Sequence, residues 1–304
     1  MSAKQDTSNT MMMCCASCGV AEGDGIQLKK CNGCYLVRYC GVTCQRNHRP
    51  EHKKACKKRA AELRDEILFR QPESSHLGDC PICLLPFPFD EDQSVYHTCC
   101  SKLVCRGCVF ANFNREMEER LESTCPFCRA DVREGIDINE ENQKIMKRVQ
   151  ANDPIALCKM GTECNRKGNH VQAFQYYSKA AEQGNAYAHS HLFLMYSEGR
   201  GVEKDEKKEL YHLEEAAIGG HPIARNLLAG KEWESSPDRS IKHLIIAANL
   251  GHDQSITGLK DFYKAGLVSK EDFAAALRAH KAAVDATKSP RREAAAVAWA
   301  RSSS

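Results

Sequence analysis

Long apolar runs are absent from this 304-residue chain. Nothing approaches the ~20 consecutive apolar residues of a membrane-spanning helix, so no membrane partner is expected. The N-terminal MSAKQDTSNTMMM is polar and lacks the apolar core of roughly 7–15 residues that marks a secretory leader, which predicts a protein that is not secreted. Aromatics are scarce, at 7%, and none interleave with the basic stretches to stack on bases. Charge of one sign is not in excess either. The 43 basic and 40 acidic residues leave a formal +3, too little to concentrate the chain on nucleic acid. No Ser-His-Asp set, phosphate-cradling glycine loop or acid–base pair is present, and no catalytic residue is assigned.

Cysteine is what the chain has. Sixteen of its 18 cysteines lie between Cys14 and Cys128, and only Cys158 and Cys164 fall beyond. In the reducing cytosol or nucleus, where the missing leader places the protein, clustered thiols mean zinc rather than disulfides. Composition divides the chain into a polar, disordered N-terminus (1–13), a first Cys-rich segment (14–58), a basic helical linker (59–79), a second Cys-rich segment (80–130), a helical linker (131–152), an Ala-rich repetitive region (153–286) and a biased tail (287–304) that is either poorly ordered or a short helix. Proline at Pro72 stops the first linker helix, and Ile145, Met146 and Val149 share one helical face in the second.

The first segment pairs its ligands as Cys15/Cys18, Cys31/Cys34, Cys40/Cys44 and His52/Cys56. Gaps of two or three residues let two donors reach one tetrahedral ion, and four pairs make two closed sites with no position left for water, which is the structural rather than catalytic form. Cys14 is the alternative to Cys15, but only Cys15 keeps the two-residue gap to Cys18. The run CASCGV…KKCNGCYLVRYCGVTCQRNHRPEHKKAC resembles the MYND-type zinc finger over residues 15–56. The resemblance implies interleaved ligation, with Cys15, Cys18, Cys40 and Cys44 on one zinc and Cys31, Cys34, His52 and Cys56 on the other, and a peptide-binding role. Where that family carries Trp three residues before the liganding histidine, this chain has Arg49. Arg46, Arg49, Lys53, Lys54, Lys57, Lys58 and Arg59 make a basic stretch, read either as a nuclear-import patch or as a solvated helix face.

The second segment offers Cys80/Cys83, Cys99/Cys100, Cys105/Cys108 and Cys125/Cys128, again four pairs. CPICLLPFPFD…TCCSKLVCRGC…CPFCR resembles a RING finger over residues 80–129. Its second pair departs from the family's Cys-x-His. Lys102 stands where the histidine would be, and Cys99 is the replacement, with His97 the runner-up. The family's cross-brace implies one ion on Cys80, Cys83, Cys105 and Cys108 and another on Cys99, Cys100, Cys125 and Cys128, for four zinc ions in the whole chain. The resemblance also implies a groove for a ubiquitin-conjugating enzyme, formed by Ile82 and Pro126, and a role for Arg129 in holding the enzyme–ubiquitin thioester. Asn112 occupies the position of the family's large aromatic. A helix over Arg106–Glu122 is expected, with Val109, Phe113 and Met117 on one face.

In the last region KAAEQG ending at Gly184, EAAIGG at Gly220 and IAANLG at Gly251 repeat at intervals of 36 and 31 residues, the period of stacked helical hairpins. The best copy, with its GRGVEKD loop, resembles the Sel-one-like repeats, a tetratricopeptide-like class; further copies start at Ala156, Ala224 and Ser255. Tyr176, Tyr177 and Tyr211 are expected in the packing. The fold class is therefore small zinc-stabilised modules followed by an α-solenoid that presents a protein-binding surface. Two functions follow from the resemblances: a RING-type ubiquitin ligase whose repeats and MYND-like finger hold a substrate or partner, or a non-enzymatic adaptor. Ile82, Pro126 and Arg129 favour the first; Lys102 and Asn112 favour the second.

Overall fold

A computed structural model describes residues 14–23, 25–132 and 138–302; the stretch 1–13, expected to be disordered, lies outside the described residues. Two compact units are present, one through Leu68 and one from Phe69 onward.

In the first unit, strands β1 (Lys29–Lys30) and β2 (Arg38–Tyr39) pair antiparallel and are followed by α1 (Val42–Leu68). Its core is Cys15, Leu28, Cys31, Cys34 and Tyr39. Three of those five are cysteines, too little hydrocarbon to hold a fold without another source of free energy. The helix α1 runs unbroken through Cys44, His52 and Cys56 and on through the basic connector, so the last liganding segment and the first half of the expected linker are one element. Arg46, Arg49, Lys53, Lys54, Lys57 and Lys58 are exposed on it.

The second unit starts with a non-helical segment, since α1 ends at Leu68, shortly before the stop expected at Pro72. His76 N donates to the Gly220 carbonyl (3.0 Å) and Asn249 Nδ2 to Gln71 Oε1 (3.0 Å). Phe69 packs its ring on His243, with centroids 4.7 Å apart. Pro72 and the residues around it thus lie along the repeats. A short hairpin follows, β3 (Ser94–His97) with β4 (Lys102–Cys105), then α2 (Arg106–Glu119) and α3 (Ile138–Gln150). α2 ends three residues short of the expected Glu122, at Arg120 in the left-handed conformation. Of its expected apolar face only Val109 packs on the module's core; Phe113 is 50% and Met117 65% exposed, while the buried residues are Gly107, Cys108 and Glu116.

Eight helices form four hairpins: α4 (Pro154–Arg166) with α5 (His170–Ala181), α6 (Ala186–Glu198) with α7 (Glu206–Ile218), α8 (Pro222–Glu232) with α9 (Pro237–Asn249), and α10 (Asp253–Lys264) with α11 (Lys270–Ala286). Ala173, Ala180, Ala188, Ala216, Ala217, Ala247 and Ala248 are fully buried; the small side chains let the helices approach closely. Gly184, Gly220 and Gly251 take φ of +76°, +82° and +90°, the left-handed cap that glycine adopts without a Cβ penalty. Asp153 caps α4 by accepting from Ile155 N and Ala156 N, a contribution of about 1 kcal/mol. Tyr177 is fully buried against Gly161, and Tyr176 is partly buried, but Tyr211 is 51% exposed on α7 and is not core. Cys158 and Cys164 sit inside this apolar core. The tail forms α12 (Pro290–Ser302), which packs on α2. No helix among the described residues is long and apolar enough to cross a membrane.

Candidate metal centres

Four groups of ligand atoms come together, each with its four atoms within 4.8 Å of one another: Cys15, Cys18, Cys40 and Cys44; Cys31, Cys34, His52 and Cys56; Cys80, Cys83, Cys105 and Cys108; Cys99, Cys100, Cys125 and Cys128. The grouping is interleaved in both segments, so each short hairpin is braced by residues from the other half of its module. The Cys14 thiol is not in the first group, and the fourth takes Cys99 rather than the His97 ring, which stays on β3.

The geometry fits zinc. A tetrahedron with metal–sulfur bonds of about 2.3 Å has edges of about 3.8 Å. The sulfur–sulfur distances within the four groups include 3.6 Å (Cys18–Cys40), 3.5 Å (Cys40–Cys44), 3.8 Å (Cys31–Cys56), 3.7 Å (Cys83–Cys105), 3.9 Å (Cys100–Cys125) and 3.4 Å (Cys99–Cys128). A disulfide would bring the pair to about 2 Å. Cys34 Sγ lies 3.2 Å from His52 Nε2, so the mixed group presents a nitrogen at its fourth corner.

One local turn builds half of these sites. Gly19, Tyr35, Leu84 and Arg129 each donate their N–H, at 2.9 Å, to the carbonyl of the cysteine four residues earlier: Cys15, Cys31, Cys80 and Cys125. All four take positive φ, from +58° to +75°. The turn folds the chain back so that the two thiols of a Cys-x2-Cys pair point the same way. Three of the four residues are not glycine, a strain of order 1–3 kcal/mol each that persists only where the surroundings over-determine it.

Acid–base behaviour points the same way. Burial raises the Cys15 thiol, but the backbone N–H groups of Cys18, Cys40 and Ser17 outweigh it and lower it to about 6. Cys80 is lowered to about 4, mainly by the hydrogen bond from Cys105. Their neighbours move oppositely: Cys40 rises to about 12 through its thiol contacts with Cys44 and Cys18, and Cys105 is raised chiefly by Cys80. One thiolate is welcome in each group and a second is repelled. A divalent cation removes that repulsion and lets all four ionise.

Arg129, Asn112 and Glu116 form a network that the sequence does not disclose. The Glu116 carboxylate is buried and its Oε1 accepts from Asn112 Nδ2 (2.7 Å), Thr124 Oγ1 (2.7 Å) and Thr124 N (3.0 Å). Burial raises its pKa, and the Thr124 and Asn112 donors outweigh burial and hold it below the ordinary value. Asn112 Nδ2 also donates to the Thr124 carbonyl (3.1 Å), so its Oδ1 faces outward and accepts from Arg129 Nη1 at 2.7 Å. Ile82 is 38% exposed, Pro126 is half-buried, and Phe127 beside it is 42% exposed. In a run such as NREMEER an acid reads as surface, and nothing local marks Glu116 as buried.

The repeats hold a histidine-rich interior that sequence reasoning also missed. His189 and His212 meet through their Nδ1 atoms at 2.9 Å, His76 stacks on His221 at 4.1 Å, and His243 is fully buried 3.5 Å from Arg225 Nη1. Burial lowers His76, His191 and His212 to about 4 and His221 and His243 to about 3. A cavity of about 310 Å³ opens where Tyr96 and Leu103 face Cys158, Lys159, Thr162 and Tyr187.

Comparison with known proteins agrees with two of the three regions. The MYND finger family model matches residues 15–56, and the Sel1 repeat model matches 154–185, 186–221 and 227–252. The chain thus carries a zinc-binding MYND finger and a Sel1-repeat protein-interaction domain. Neither model covers the RING-like segment. The mouse protein DAP3-binding cell death enhancer 1 is 24% identical over 204 aligned positions, which cover 54% of this chain and 40% of that protein. Among solved structures, a Sel1 repeat protein from Oxalobacter formigenes matches 49% of this chain and 65% of its own (28% identity, TM-score 0.42). The antigen c5321 of uropathogenic Escherichia coli, described as an SLR fold, matches 49% and 34% (22% identity, TM-score 0.41).

Proposed function

We propose that this protein is a zinc-dependent RING-type ubiquitin ligase of the reducing cytosol or nucleus. Its four clusters hold one zinc each, residues 80–129 dock a charged ubiquitin-conjugating enzyme, and the Sel1 repeats and MYND finger hold the protein to be modified. The observation that carries the reading is the interleaved bracing of the second segment together with the outward position of Ile82 and Arg129 on two of its turns. A module of this kind has no nucleophile of its own. It accelerates transfer by holding the thioester in a reactive geometry, which is compatible with the absence of any acid–base constellation in the sequence. The mouse relative is, by its name, a protein that binds another protein, and we assign that role to the repeats of this chain.

The second reading is an adaptor without ligase activity, favoured by the 2.7 Å bond that engages Arg129 with Asn112. Discharge of charged conjugating enzymes by zinc-loaded protein, across a broad panel, separates the two. A ligase accelerates discharge with at least one enzyme, Ile82→Ala weakens that enzyme's binding by roughly 1–3 kcal/mol, and Arg129→Ala slows discharge while leaving binding of the uncharged enzyme intact. Wild-type protein that discharges none above background makes it an adaptor.

A further inference from the structure

The tail beyond the repeats is the least informative part of the sequence, yet it places two side chains on the RING-like module. Arg292, in the first turn of α12, donates from Nη1 to the Pro86 carbonyl (2.6 Å) and from Nη2 to the Leu85 carbonyl (3.0 Å) and to Cys83 Sγ (3.5 Å). Its backbone lies against Gly107, between Cys105 and Cys108, so closely that a Cβ on Gly107 would sit 2.8 Å from Arg292 N. Further along, Trp299 packs its ring on Phe110 (centroids 6.1 Å apart), with the Arg106 guanidinium 4.9 Å above the Trp299 ring. Ala295 between these contacts is fully buried.

We propose that α12 is a strap that completes the Cys80/Cys83/Cys105/Cys108 metal centre, with Arg292 as the positively charged hydrogen-bond donor to its Cys83 thiolate. Four thiolates around Zn²⁺ leave a net charge of −2, and a guanidinium on one sulfur offsets half of it while fixing the orientation of that ligand. The same arginine ties down the Leu85 and Pro86 carbonyls, so the turn carrying Cys83 is clamped from outside the module. The strap grips α2 at Arg106, Gly107 and Phe110. Asn112, with its bond to Arg129, projects from the opposite side of the helix. The strap thus lies across α2 from Asn112 and Arg129, and zinc release reads it without relying on ligase activity. The inference rests on the metal-bound reading of this cluster.

The test uses full-length, zinc-loaded protein and follows transfer of zinc to the chromogenic chelator 4-(2-pyridylazo)resorcinol. Arg292→Ala should release one ion in four about 10–100-fold faster, the usual effect of removing a partner of a metal ligand. Arg292→Lys, which keeps the charge but not the three-pronged donor geometry, should release it at an intermediate rate. Trp299→Leu should accelerate the same ion, and Cys80→Ser should abolish the fast phase. Arg291→Ala, an exposed neighbour on α12, should change nothing. Unchanged release from Arg292→Ala with helical circular dichroism intact overturns the strap, as does equal acceleration of all four ions, because that is general loosening. A zinc content that Cys80→Ser does not lower by one ion rejects the metal reading of this cluster, which distinguishes that failure from failure of the strap alone.

Discussion

The first unit and the repeats answer the same problem with different chemistry. Around Cys15, Cys31 and Cys34 the buried groups are sulfurs, joined only by Leu28 and Tyr39. Around Tyr177 and Leu192 they are hydrocarbon, with alanines that bring helices together. The first interior attracts nothing until a cation arrives; the second is attractive in water by itself. A metal-built module can therefore be short and rich in turns, each tightened by a strained residue such as Tyr35 or Leu84. A burial-built one needs length and periodicity.

The largest expected effect breaks this comparison open. Structural zinc supplies about 10–16 kcal/mol in finger peptides near neutral pH, so a strong chelator should unfold residues 15–129 and spare the helical repeats. Metal analysis of the intact protein should give four ions, and circular dichroism after chelation should keep most of its helical signal. Loss of that signal would mean that the repeats too depend on metal.

Acid should strike the repeats for a reason unrelated to metal. His191, His212, His221 and His243 are held between about 3 and about 4, below the ordinary 6.5. The unfolded chain therefore takes up protons first. Stability is complete well above pH 6.5 and declines as the pH falls toward 4. Thermal melts of the chelated protein between pH 7 and pH 4 isolate this effect, since acid also strips zinc by protonating thiolates. A flat melting temperature would show that these imidazoles find solvent.

The smallest of the three effects sharpens the boundary. Leu213 is fully buried on α7, and Leu213→Ala should cost about 2–5 kcal/mol, read as a lower denaturant midpoint for the helical signal. Zinc content should stay at four. A change in zinc content would mean that the repeats support the metal clusters more broadly than through α12.

Much of this was legible because the rules concerned are local. A Cys-x2-Cys pair closes one turn over five residues, so spacing alone grouped the sulfurs into pairs, and the repeating alanine–glycine endings marked the hairpins with their left-handed Gly184, Gly220 and Gly251. Cys14 against Cys15 could be weighed by a gap of two residues. Legibility failed where a residue's surroundings come from far away in the chain. Val109, Phe113 and Met117 make a helical stripe in any sequence plot, but the module's core is filled by Cys80, Phe87, Val104, Cys105 and Cys108, so Phe113 and Met117 face outward. Tyr211 fits the repeat's aromatic pattern but lies on the outer side of α7.

By itself, then, the sequence determined which ligands pair across a short gap and where the hairpins end, because each of these depends on contacts within a few residues or on simple periodicity. Only the tertiary structure decided that Glu116 is a buried carboxylate tying Asn112 to Thr124, that the histidines are interior, and that the tail is a helix with Arg292 on Cys83. Cys83 and Arg292 are 209 residues apart, and even the Glu116 bond to Thr124 spans the end of α2, so no local pattern carries the signal of these contacts.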